Sequence, residues 1–502
     1  MSVVEQKQLQ QEKELTSGLK YIESFVARSY LENLSVYPVD APVIQGDGWG
    51  ALRFVKLQRL IFDEQENTND KLVSVYGALQ SIHAGVFLLL VSDGAGVDFY
   101  AGTRSQDQAS TAGILLEKEL RGNFPGSVMT GMRRENIARL MQEQFAAGRG
   151  KNVASVTMVP ALRDDDRDHF VQGIEKLVDT LSGERYTALL LAEAMPPALV
   201  YQRKRGLEDM YTTLSPLSRT SLAYGDSVSS AVADGIFTSF SDSVNSSVTD
   251  SNSESVSNSY SESWSTGDSW GVSSDGFSVN SSSSHGTTST SGTSTSWSQA
   301  MSRGKSQTSS SGENHTVTNT LGENRTFTIN YENKAASDMM QRIQQQLDRM
   351  QESEAFGLWS CGAYFVSEDP QVCMVAASTF RSLLAGEKTQ VENSYINLWS
   401  IQGSRQTDQV LRCLQYAQHP RVKLPPVGAF KSQTVMPSAL VSGKELPLFL
   451  GMPQRSVPGL VVDYIASFGR DIYCLNGIPF VPQKLRNFPA ILEHRKIQAN
   501  PL

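Results

Sequence analysis

Apolar and polar residues recur along this chain in two periods, and Gly, Pro, Asn and Asp mark where one period gives way to the other. Near the start, Leu15, Leu19, Ile22 and Val26 stand at helical spacing, with Tyr21 and Phe25 alongside. ALRFVKLQRLIF then suits a strand, and NDKLVSVYGALQSIH suits a helix capped by Asn69 or Asp70. GVFLLLVSDGAGVDFYAGTR reads as two strands around the turn Asp93-Gly94-Ala95-Gly96. Helical patterns follow over 111–121 and 133–146, then the strand VASVTMVPAL and a helix over 168–181. The strand YTALLLAEA and a helix opened by Pro196-Pro197 complete the first region.

The pattern resumes beyond residue 320. RTFTINY predicts a strand, and Met339, Ile343, Leu347 and Met350 form the apolar stripe of a helix. LWSCGAYFV predicts a strand, QVCMVAASTFRSLLAG a helix stopped by Gly386, and QTDQVLRCLQYAQ another helix. The fold class expected is α/β or α+β. Two mixed domains, 1–214 and 320–424, are expected on either side of a serine-rich segment at 215–319, with a proline-rich docking tail at 425–502.

The serine-rich segment keeps its own beat. Steps of four from Val228 reach Val232, Ile236, Phe240, Val244 and Val248, then Val256, Tyr260 and Trp264 beyond Asn252. Asp226, Asp234, Asp242 and Asp250 recur at steps of eight. As an extended strand, one face would be mostly serine, and the other would alternate apolar with acidic or hydroxyl residues. As a helix, steps of four would give a drifting stripe, but serine, threonine and asparagine are poor helix formers. The competing reading is a flexible linker, which the composition also matches and which is stronger after Ser281. The patterned reading makes the nine apolar positions from Val228 to Trp264 candidates for self-association in a homo-oligomer. A membrane-lining barrel of such hairpins is the weaker alternative, because Asp234, Asp242, Asp250, Glu254 and Glu262 would fall on its lipid face.

Composition narrows the chemistry. A net charge of −8 and a pI near 5.5 argue against a broad electrostatic grip on nucleic acid. Cys361, Cys373, Cys413 and Cys474 form no CxxC pair, and six histidines never approach ligand spacing. No metal or cofactor is expected, and a reducing, cytoplasmic setting without membrane contact is the expectation. The polar N-terminus has no signal-peptide core, and GVFLLLV is too short to span a bilayer. Gly304-Lys305-Ser306 has Gln299 where a phosphate-binding loop needs glycine, so it reads as a chance loop. Asp164, Asp165 and Asp166 read as a solvated helix N-terminus. Arg203-Lys204-Arg205 reads as a surface face or an ion pair, and Cys361 as a buried strand residue.

Two stretches carry a resemblance. FGLWSCGAYFVSEDPQVCMVAASTFRSLLAGEKTQVENSYINLWS, residues 356–400, and LPLFLGMPQRSVPGLVVDYIASFGRD, residues 446–471, resemble the region preceding the nucleotide-binding loop of HerA/FtsK-type hexameric ATPases. In such relatives an FGR element leads into the ATPase core. Here Ser467-Phe468-Gly469-Arg470 is followed by DIYCLNGIPFVPQKLRNFPAILEHRKIQANPL, in which no residue matches the family's lysine, magnesium-binding hydroxyl or catalytic acid. The resemblance therefore implies an assembly role without the activity, in a stand-alone accessory part or a piece of something longer. The expectation is a non-catalytic scaffold of a translocation, secretion or defence assembly, partnered by a separate HerA/FtsK-like ATPase. Half of a split ATPase and a pore former are the alternatives.

Overall fold

Strands from both sides of the serine-rich stretch meet in one sheet. The computed structural model describes residues 26–44, 48–63, 66–148, 150–161, 173–218, 334–386, 392–400, 405–425, 433–464, 473–475 and 478–480. Its strands are β1 (Leu52–Phe62), β2 (Gly85–Ser92), β3 (Val97–Arg104), β4 (Val128–Gly131), β5 (Asn152–Thr157), β6 (Thr187–Ala194), β7 (Leu358–Ser367) and β8 (Tyr395–Trp399). Next come β9 (Val422–Leu424), β10 (Gln433–Val435), β11 (Ala439–Ser442), β12 (Val461–Tyr464), β13 (Tyr473–Leu475) and β14 (Ile478–Phe480). Ten of these form one sheet in the order β12-β1-β3-β2-β6-β7-β5-β8, with β11 added to β7 and β4 to β1. All its pairings are antiparallel except β1 with β12. β9 pairs with β10 and β13 with β14 in two small separate sheets.

The mixed α/β class expected from the sequence is the class observed. The division at 214 and 320 is different in kind. β6 and β7 lie side by side in the sheet, from Thr187 opposite Val366 to Ala194 opposite Trp359. The flanks of the serine-rich segment therefore share one hydrogen-bonded layer and are not two separate cores. The reason is that each flank alone would leave a long unpaired strand edge at the middle of the sheet.

Helices cover both faces. On one lie α1 (Thr68–Gln80), α2 (Ala109–Asn123), α4 (Glu175–Thr180), α7 (Pro370–Leu384) and α9 (Leu446–Phe449); on the other lie α3 (Arg134–Gln144), α5 (Pro197–Ser218), α6 (Lys334–Phe356) and α8 (Arg405–Gln415). The strands serve both cores by alternation. Val86, Leu88 and Leu90 of β2 face the first, while Phe87 and Leu89 face the second. That two-sided burial explains the unbroken apolar run GVFLLLV. Trp359, Cys361, Ala363 and Phe365 of β7 repeat the pattern on the first face, so Cys361 is the buried strand residue expected.

Several local readings are refined. The cap of α1 is Asn67, whose side chain accepts the Asn69 N–H at 2.9 Å, not Asn69 or Asp70. Asp369 caps α7 by accepting the Gln371 N–H at 2.8 Å, with Pro370 in the first turn. The helix expected up to Val26 lies mostly outside the described residues, and beyond it the chain makes short 3₁₀ turns at Ser29–Leu31 and Leu34–Val36. The expected strand RTFTINY also lies outside them. Over 433–464 the region expected as a docking tail is part of the core: Leu446, Phe449, Leu450, Met452 and Leu460 are buried, and β11 and β12 join the sheet. Its prolines sit where they cost little, Pro447 in the first turn of α9 and Pro458 in a tight turn.

α5 and α6 pack against each other as an antiparallel pair, with Lys204 Nζ 2.8 Å from Glu354 Oε1 where α5 begins and α6 finishes. Ser218, the last residue of α5, and Lys334, the first of α6, therefore stand at the opposite end of that pair. Of the basic triplet, Lys204 makes the ion pair expected, Arg205 is exposed, and Arg203 is buried, contrary to a surface reading. The cause is helical phase: Arg203 shares the inward face with Leu199, Leu207 and Met210.

Candidate assembly edge of the sheet

One end of the sheet is built from a strand with a divided border. β4 pairs with one side of β1 over Val55–Arg59, with a register shift between Leu57 and Arg59; the other side is taken by β3 over Leu52–Leu57 and then by β12 over Arg59–Phe62. Arg59 stands opposite both Val128 of β4 and Val461 of β12. Residues opposite one another in register share a face. Val128 is 46% and Val461 50% exposed, so two half-exposed valines flank Arg59 on one face of the sheet. Arg59 Nε, between them, lies 2.5 Å from Asp463 Oδ2.

A turn sets β12 in place. Val457 and Leu460 exchange backbone hydrogen bonds of 3.0 Å around Pro458-Gly459, and Gly459 has φ of 101°. Proline first and a positive-φ glycine second are the requirements of a type II turn. The turn docks on the β2–β3 hairpin, where the Val97 N–H donates to the Pro458 carbonyl at 2.8 Å. That hairpin tip is held by Asp93, whose Oδ1 accepts the Gly96 N–H at 2.8 Å and the Ala95 N–H at 2.9 Å. These two donors hold the Asp93 carboxyl below its usual range.

The outer side of β12 is partly closed by a side chain. Ser456 Oγ accepts the Val462 N–H at 2.9 Å and donates to the Val462 carbonyl at 3.1 Å. One hydroxyl thus occupies both groups that a neighbouring strand would use at that residue. On the other face Tyr464, 49% exposed, lies beside Phe62 with ring centroids 6.2 Å apart. Its hydroxyl donates to the Gln454 carbonyl at 2.6 Å. A cleft of about 350 Å³ opens here, lined by Phe62, Asp63, Glu66, Thr68, Gln454 and Tyr464.

Beneath this corner Glu175 of α4 is 1% exposed, and its Oε2 has no hydrogen-bond partner. Burial pushes its carboxyl up; the backbone N–H groups of Glu175 and Gln454, and the nearby Arg455 that pairs with Asp179, offset this only in part. A raised carboxyl favours the fold below its unfolded value of 4.5, and that contribution is lost as pH rises through the folded value. Glu175→Gln, neutral throughout, should therefore raise the melting temperature at pH 8 and make little difference at pH 4. Equal effects at both pH values would show that charge is not the cause.

The corner does not assemble a nucleophile with a base. Among the described residues no group of three or more His, Cys, Asp and Glu is placed to hold a metal ion. Burial pushes the thiols of Cys373 and Cys413 up to about 12, and that of Cys361 well above its usual range, so they stay protonated at neutral pH. Tyr364 donates its hydroxyl to His419 Nδ1 at 2.6 Å in the core, where His419 Nε2 faces the Ser360 carbonyl at 3.1 Å. That histidine is a satisfied core group.

The self-association candidates Val228, Val232, Ile236, Phe240, Val244, Val248, Val256, Tyr260 and Trp264 lie outside the described residues, as do Gln299, Gly304, Lys305, Ser306 and Asp164, Asp165 and Asp166. Sequence reasoning passed over Val128, Glu175, Ser456 and Val461. The Pro458-Gly459 pair was the one local signal for this corner. Among the described residues no helix is long and apolar enough to cross a membrane. No protein-family model matches this chain, and neither does any curated protein or solved structure.

Proposed function

We propose that this chain is a non-catalytic, self-associating structural subunit of a translocation, secretion or defence assembly, working beside a separate HerA/FtsK-like ATPase in the cytoplasm. The observation that carries the reading is the pair of half-exposed valines, Val128 and Val461, on either side of Arg59 at one end of the sheet, with Tyr464 on the reverse face. Large apolar side chains left half in water on one face mark contact surfaces. Val461 lies on the element that the family resemblance sets just before an ATPase core, which is where an assembly subunit would meet its neighbours. The helix pair α5–α6 adds a second support, since α5 ends at Ser218 and α6 begins at Lys334 at the same end of the pair, on either side of the serine-rich stretch in sequence.

The test is the mass of the full chain by light scattering, for the wild type and for Val128→Asp with Val461→Asp. The wild type is expected to be an oligomer and the double variant to dissociate at least tenfold more readily. A monomeric wild type, or an unchanged mass in a folded double variant, would sink the assignment of this border to assembly.

A further inference from the structure

Where α5 begins and α6 finishes, charged groups from five parts of the chain lie in the interior. Arg28 is 5% exposed and its backbone lies in the left-handed region at φ 56°, ψ 35°. It donates from Nη1 to Glu392 Oε2 at 3.0 Å and from Nε to the Tyr30 hydroxyl at 3.1 Å. Arg349 of α6 donates from Nε to Glu445 Oε1 at 3.1 Å and from Nη2 to Glu445 Oε2 at 2.6 Å, and also reaches the Leu440 carbonyl at 3.0 Å. Arg203 of α5 is 7% exposed, and among the described residues none hydrogen-bonds or ion-pairs with its guanidinium. Three guanidiniums thus face two carboxylates. Glu445 is taken up by Arg349, and the contact of Glu392 is with Arg28.

A guanidinium largely withdrawn from water without a contacting counter-charge is costly, and the cost falls when an anion reaches it. The fork of N–H donors matches the oxygens of a phosphate or sulfate better than a spherical halide. We propose that this junction binds a small oxyanion of the phosphate class, held by Arg203 with Arg28 in support. Burial, and then the charge of Arg28, lower the proton affinity of Arg203, while Glu392 raises it in part. The slight remaining exposure of Arg203 restricts the ligand to a small ion. Binding would tie α5 to the segment at 26–31, at the end of the pair where α5 begins and α6 finishes.

Thermal unfolding of the full chain in sodium phosphate, sodium sulfate and sodium chloride at matched ionic strength tests this, with Arg203→Met and the exposed neighbour Arg205→Gln alongside. Phosphate and sulfate raise stability generally by exclusion from protein surfaces, so the informative quantity is the difference between variants. Phosphate should raise the wild-type and Arg205→Gln melting temperatures by several degrees beyond chloride, with saturation. Arg203→Met should show only the unsaturating general rise, and in chloride should be as stable as the wild type or more so. The same response in wild type and Arg203→Met, or a large loss in Arg203→Met that no anion affects, would overturn the proposal. Should Arg203→Met not fold, calorimetric titration of the wild type with inorganic phosphate decides: saturable binding supports the site, and none removes it.

Discussion

Replacing Glu392 by alanine should lower stability by about 3–5 kcal/mol, because it leaves buried guanidiniums without their shared counter-charge. Glu392 and Arg28 have side chains only 4% and 6% exposed, so solvent does little to screen the loss. Urea unfolding midpoints measure the effect. The segment at 26–31 should loosen as well, since Arg28 is its charged anchor, and early proteolysis there would report it. Adding Arg203→Met to Glu392→Ala should recover part of the loss, because the second change removes one uncompensated cation. No recovery would mean that Arg203 draws on a different counter-charge. The pH dependence has a definite sign. Burial alone would raise the Glu392 carboxyl, but Arg28, then Arg203 and Arg349, outweigh it and hold it below the ordinary 4.5. Its contribution is therefore fully present above pH 4.5 and is lost as pH falls through the lower folded value.

Gly459→Ala is the second large effect expected, a loss on the order of 3 kcal/mol. The backbone there has φ of 101°, a region L side chains rarely enter, and a Cβ would come within 2.2 Å of the Val97 carbonyl oxygen. The obstacle is backbone, which cannot swing aside. Relieving it means lifting the turn at 457–460 from the β2–β3 hairpin and with it the start of β12. Two readouts separate this from a general loss of stability. Amide exchange should quicken at Val97 and Val462 before it does in β2, and self-association should weaken together with it. A variant that keeps wild-type exchange at those amides would show that the turn is not what seats β12.

What the sequence carried about the fold was mainly periodicity. Strands buried on both faces, such as β2 and β7, announce themselves as apolar runs, because alternation vanishes when neither face meets water. Helices with one buried stripe, such as α6, announce themselves by residues three and four apart. Both are local signals and survived into the structure. The neighbour of each strand was not legible. β6 and β7 are adjacent in space yet separated by more than a hundred residues of chain, and nothing in either strand names the other. Hence the sequence suggested a boundary where the structure has a continuous sheet.

The same distinction governs the site. Pro458-Gly459 is visible as a turn because its constraint lies within two residues, whereas the exposure of Val128 and Val461 depends on which strands stop beside Arg59. Arg203 looked like a surface charge because charged residues are nearly always solvated. Only the packing of α5 against α6 turned it inward, beside Arg28 and Glu392, which lie far from it in the chain. By itself the sequence determined the types and approximate extents of the elements, through short-range sterics and the sidedness of burial. The tertiary structure alone decided strand order, the fate of the proline-rich region as core, and the meeting of three arginines at one point. Those are outcomes of long-range packing, in which the burial of each residue depends on partners that its neighbours in sequence do not specify.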